Sequence, residues 1–156
     1  MPNTPKFDIQ QAHKYFSADC FNKTWELVDK DGTRSTEESM EMLHTAIASL
    51  WHWGQREDVT SENLSVGYWR VSRVYCLIGQ PHNARGYGRL SLEYAKELSP
   101  FYKGYAYETL ARAEMVADNR VIMNTYLEKA RETLHQIKEK DDKEVLEKDI
   151  ETIQFF

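Results

Sequence analysis

Glu41, His44, His52 and Trp53 gather in one short stretch and are the first residues whose types suggest chemistry. Glu41-x-x-His44 is half of the signature by which carboxylate bundles hold a pair of metal ions, and the other half is expected to be missing. His44 and His52 are eight residues apart, about 12 Å along a helix, so one ion cannot take both. H-E-x-x-H is absent. No metal set and no cofactor is therefore expected, and His44 and His52 are read as packed between helices or lining a pocket with Trp51 and Trp53. Nucleophile chemistry finds no better footing. Neither G-x-S-x-G nor a phosphate-cradling loop occurs, and Gly86-Tyr87-Gly88 lies inside a helical pattern with no strand before it. Those glycines are expected at close helix contacts. Cys20 and Cys76 stand far apart in helical patterns, which predicts reduced, packed thiols. No catalytic residue is assigned.

The elements that must position these residues are helices throughout. With 156 residues, 41% of them apolar and 29% charged, the chain can bury one sizeable core, so one folded domain is expected. Its net charge of -5 arises from 25 acids and 20 bases that alternate along the chain, which argues against nucleic acid and anionic membrane as partners. Met1 to Asp8 lacks the basic start and apolar core of a signal peptide, and no run of about 18 apolar residues exists. A cytoplasmic location is the expectation.

Helical spacing, proline and glycine set the boundaries. Phe16, Cys20, Phe21, Trp25 and Val28 recur at three and four residues, predicting a first helix over about 8–29 with that stripe facing inward. Ser35-Thr36-Glu37-Glu38 fits a capping box for a second helix ending near Gln55. Ser61 is the expected cap of a third, closed by Gly79-Gln80-Pro81. A fourth runs from about Pro81 to Leu98, and Ser99-Pro100 stops it. The fifth and sixth are separated by the turn Asp118-Asn119. Glu139 to Lys143 reads as a loop or frayed turn before a seventh helix marked by Val145, Leu146, Ile150 and Ile153. The expected pairs are thus about 8–55, 62–98 and 101–138, with a capping helix over about 143–154.

A repeat runs through the middle of this series. Tyr68, Val71, Ser72, Tyr75, Gly79 and Ala84 are separated by the same offsets as Tyr107, Leu110, Ala111, Glu114, Asp118 and Met123, with a shift of 39 residues. Those spacings resemble the tetratricopeptide repeat (TPR): large residue, apolar beside small, aromatic, turn glycine, small residue opening the next helix. Glu114, Asp118 and Met123 depart from that pattern at the aromatic, glycine and small positions. The resemblance implies an all-α fold, a short TPR-like right-handed superhelix of antiparallel pairs. The segments 21–27 and 44–54 are also similar to those of uncharacterised bacterial helical-repeat proteins.

In that architecture the first helix of each pair lines a concave face. The resemblance therefore places Trp69, Arg73 and Cys76 beside Tyr105, Glu108, Arg112 and Met115. Two arginines and a glutamate among aromatic rings suit a carboxylate or phosphate on an apolar body, since a guanidinium offers a planar fork and stacks on rings. The same residues equally make an internal Arg–Glu network. The resemblance implies a non-enzymatic scaffold holding a protein or peptide partner, with Trp69, Arg73, Tyr105, Glu108 and Arg112 as the candidate surface. The alternative is a small-molecule binder or enzyme with a pocket among the first three helices, around His44, His52 and Trp53. A third reading is a regulatory domain beside a DNA-binding or signalling module. A homodimer is one way to cover the groove and the apolar tip Phe155-Phe156.

Overall fold

Seven α-helices and no strand make up the described residues, 3–155, of the computed structural model. They are α1 (Ile9–Val28), α2 (Thr36–Gly54), α3 (Ser61–Leu77), α4 (Pro81–Ala95), α5 (Pro100–Val116), α6 (Arg120–Gln136) and α7 (Lys140–Glu151). Two compact units result, one ending at Thr60 and one beginning at Ser61. The first holds the pair α1/α2. The second holds the pairs α3/α4 and α5/α6, with α7 packed on α5 and α6. No helix among the described residues is long and apolar enough to cross a membrane.

The caps follow local chemistry. Asp8 accepts from the Gln11 N–H at the start of α1, where four backbone donors lack helical partners. Ser35 and Glu38 form the predicted capping box of α2, each side chain accepting from the other's N–H, at 3.1 and 2.8 Å. Pro81 and Pro100 open α4 and α5, where a missing N–H costs nothing.

The 39-residue periodicity has a backbone counterpart. Gly79 closes α3 at φ 76° and Asp118 closes α5 at φ 56°, both left-handed. The next N–H in each case returns to the helix, Gln80 to the Tyr75 carbonyl and Asn119 to the Glu114 carbonyl, both at 2.9 Å. These bonds satisfy the same orphan carbonyl in the two turns. Aspartate tolerates this conformation because its short polar side chain can bond locally.

Five expectations are corrected. Lys140 to Lys143 belong to α7, whose first turn carries Asp141 and Asp142, acids that suit the positive end of a helix. Helix α4 ends at Ala95, and Lys96 to Leu98 form a tight turn held by Lys96 and Leu98 N–H bonds to Glu93 and Ala95. Ser61 is the first helical residue of α3 rather than its cap. The inward face of α1 is not the aromatic stripe: Ser17 and Thr24 are fully buried, whereas Phe16 is 43% exposed. Of the two glycines on α4, a Cβ on Gly88 would lie 2.9 Å from Leu110, but one on Gly86 would meet nothing.

Small polar residues let the helices of each pair approach. Thr24 donates to Thr45 Oγ1 at 2.9 Å, and Ser49 donates to the Ser17 carbonyl at 2.7 Å across α1/α2. Ser65 and Ser91 exchange hydroxyl-to-carbonyl bonds across α3/α4, at 3.1 and 2.9 Å. Every one of these buried hydroxyls is bonded, which removes the cost of taking it out of water. Farther along, Gly104 on α5 receives Leu146 of α7, which an added Cβ would approach to 2.5 Å. Leu146, Ile150 and Ile153 are buried there with Leu127, Ala130 and Leu134. Phe155 packs on this core under the Arg120 guanidinium, 4.6 Å from the ring, so it is no exposed tip; Phe156 lies outside the described residues.

Candidate functional site

Helices α3, α5 and α7 are wired together by one polar network. Glu108 on α5 is fully buried. Its carboxylate accepts from Trp69 Nε1 at 3.1 Å, from Arg73 Nη1 at 3.3 Å and from Arg112 Nε at 2.7 Å. Arg112 Nη2 turns to α7, donating to the Asp149 carbonyl at 3.0 Å and to Thr152 Oγ1 at 2.7 Å. Tyr105 donates its hydroxyl to Asp149 Oδ2 at 2.7 Å. Arg73 and Arg112 are separated by the 39-residue shift, and each reaches from its own helix to the next along the series.

Burial pushes the Glu108 carboxyl up, to about 7, while Arg73 and the Trp69 N–H pull it down. Burial, with Asp149 adding, also raises Tyr105 and keeps it a hydrogen-bond donor. Cys76, buried nearby, is pushed up to about 12 by desolvation and the Glu108 charge, so the thiol is inert as a nucleophile.

The five residues predicted as one surface are therefore brought together, but not all at a surface. Glu108 and Arg112 are core groups, and Cys76 is buried with them. Trp69, Arg73 and Tyr105 are half-buried, and a row of rings continues from them: Trp69 to Tyr105 at 5.3 Å, Tyr105 to Phe101 at 5.1 Å, Phe101 to Tyr102 at 5.5 Å. Among the described residues, Arg73 spends one hydrogen bond on Glu108, and its side chain is 20% exposed. A guanidinium carries five donors, so four remain. Arg112, in contrast, is engaged on Glu108, Asp149 and Thr152.

The histidines of α2 separate. His44 is exposed beside the exposed Glu41. The half expected to be missing is in fact present, as Glu132-x-x-His135 on α6, but both of its residues are exposed as well. No group of three or more His, Cys, Asp or Glu among the described residues is placed to hold a metal ion. His52 instead meets His13 of α1, Nδ1 to Nδ1 at 2.8 Å. Trp51, Phe16 and His13 surround its ring with centroids at 4.9, 5.5 and 5.1 Å. Burial, and then His13, lowers its pKa below the usual histidine value. Trp53 lies apart from that contact, under the Arg56 guanidinium at 3.8 Å. Arg56 in turn holds Asp58 with two bonds of 2.8 Å and donates to Ser17 Oγ at 3.1 Å.

Asp149, Thr152 and His13 escaped the sequence reading. The first two lie at the end of a helix whose register against α5 no local pattern sets, and His13 lies before the first member of the stripe expected for α1. Comparison with family models, curated proteins and solved structures finds no match for this chain.

Proposed function

We propose that the protein is a non-enzymatic interaction module that takes a peptide or helix of a partner on the α3/α5 face. The observation that carries this reading is Arg73: one-fifth exposed, held by a single bond to Glu108, and set beside the rings of Trp69 and Tyr105. A partner carboxylate meets its spare donors, and the partner's apolar side chains lie on the ring row Trp69, Tyr105, Phe101. The buried Glu108–Arg112–Asp149 contacts beneath give the face a rigid floor, which lowers the ordering cost of binding. On the TPR-like reading this is the concave side.

An enzyme is less well supported. The Cys76 thiol is buried and its pKa is pushed up, and the Tyr105 hydroxyl is spent on Asp149, so neither supports nucleophilic chemistry at this face. The test is a selection of displayed peptides on the immobilised full chain, followed by NMR mapping of the winners. Shifts confined to Trp69, Arg73, Phe101 and Tyr105 are the expected result. Winners that map elsewhere, or none above background, overturn the reading.

A further inference from the structure

On the reading that the α3/α5 face takes a partner, the direction of its polar atoms decides what kind of segment fits there. Trp69 sends its indole N–H to Glu108 at 3.1 Å and Tyr105 its hydroxyl to Asp149 at 2.7 Å, both into the network beneath, and Phe101 has no polar side-chain atom. What these three present to a partner is ring surface. The Arg73 guanidinium, 20% exposed, is the charged group beside it.

An extended backbone is poorly matched to such a face. The N–H and C=O groups on its underside leave water and find no donor or acceptor on the rings, and each one buried without a partner costs about 1–3 kcal/mol. Pairing with a sheet edge is closed to it as well, since the described residues contain no strand. A helix brings its backbone already bonded within itself and lays only side chains on the rings.

The order of residues along the face sets the pattern that helix carries. Contacts between α3 and α5 keep a nearly constant sequence difference, 36 for Trp69/Tyr105, 37 for Ser72/Thr109 and 35 for Arg73/Glu108, so the two helices run parallel and in register. Phe101 then lies one turn before the level of Trp69 and Tyr105, and Arg73 lies at the level of Glu108 beyond them. From Phe101 to that level is seven residues of helix, about 10 Å along the axis. A helix alongside covers the same distance with one side chain on each of three successive turns. Arg73 keeps four of its five donors, because its one bond, at 3.3 Å, goes to a carboxylate that Arg112 holds at 2.7 Å. We infer that the partner segment is an amphipathic helix with apolar residues on two successive turns, seated on Phe101 and on Trp69/Tyr105, and an Asp or Glu on the turn at the Arg73 end.

Two displayed libraries panned on the immobilised full chain test this. One randomises a single face of a helix-forming peptide; the other is linear, with prolines that forbid a helix. Winners should come from the helical library, shift the NMR signals of Trp69, Arg73, Phe101 and Tyr105, and carry an acidic residue three or four positions from one apolar residue and seven from another. A proline placed mid-helix in a winner should weaken binding at least tenfold. Replacing its acidic residue by the amide should do the same, a measurement that needs no variant of this protein, and Arg73→Gln should lose as much toward the acidic peptide but little more toward the amide form. Linear winners that bind these residues as tightly as the helical ones, helical winners without an acid, or indifference to the proline overturn the helix and leave the partner face standing. No winner from either library on this face overturns both.

Discussion

The α1/α2 pair and the α3–α7 body bury polar groups in different ways, and the contrast shows what each is built to tolerate. Across α1/α2 the joints are hydroxyls on hydroxyls and carbonyls, Thr24 on Thr45 and Ser49 on Ser17. Each is neutral, joins only two side chains or a side chain and a carbonyl, and is worth about 1 kcal/mol. The body also has such joints, at Ser65/Ser91, but adds a buried carboxylate shared by three donors on two helices and continued into a third. A charged network couples elements that a hydroxyl pair leaves independent, and it fails all at once when one member is removed.

Breaking the network should therefore cost most. Glu108→Ala leaves Arg112 buried without its counter-charge, and a loss of about 3–5 kcal/mol is expected in urea unfolding. Gly104→Ala drives a methyl against Leu146 and should cost about 1–3 kcal/mol, with α7 losing hydrogen-exchange protection first. Thr24→Val removes one neutral joint of the other unit and should cost about 0.5–1.5 kcal/mol. If Thr24→Val proves as damaging as Glu108→Ala, the contrast between the units is wrong. Asp118→Gly relieves a left-handed aspartate and should stabilise by at most about 1 kcal/mol, while Gly79→Ala destabilises at the matching turn.

A smaller, pH-dependent effect separates the units further. His52 has a folded pKa below its unfolded value of 6.5, so the unfolded chain binds more protons as pH falls. Stability from this group is complete above pH 6.5 and is lost as the pH drops through that value toward the folded pKa. Protection factors of the α1 and α2 amides, taken relative to intrinsic exchange at each pH, should fall over that window in the wild type, and His52→Gln should flatten the response.

The helices were legible because their signals are local. The capping box at Ser35, the prolines at 81 and 100 and the spacing from Tyr68 to Met123 each act within a few turns, and all seven helices follow. What failed was tertiary. The Phe16 stripe looks like a core face by period, yet the close α1/α2 approach favours Ser17 and Thr24, whose hydroxyls find partners only after the helices meet. The Arg–Glu cluster was visible as a set of residues, but its burial depends on α7 delivering Asp149 and Thr152 to Arg112, contacts 37 and 40 residues away. His13 and His52, 39 residues apart, became a pair only in the same way.

In the proposed partner site Arg73 is the arginine left for the partner, while Arg112 is spent inside. Calorimetric titration of a selected peptide into the wild type, Arg73→Ala and Arg73→Lys tests it most directly. Arg73→Ala should lose at least tenfold in affinity, Arg73→Lys should recover only part of it because a point charge replaces a planar fork, and both variants should keep the wild-type melting temperature within a few degrees. Equal affinity for all three proteins, or a loss of binding that merely tracks unfolding, would contradict it.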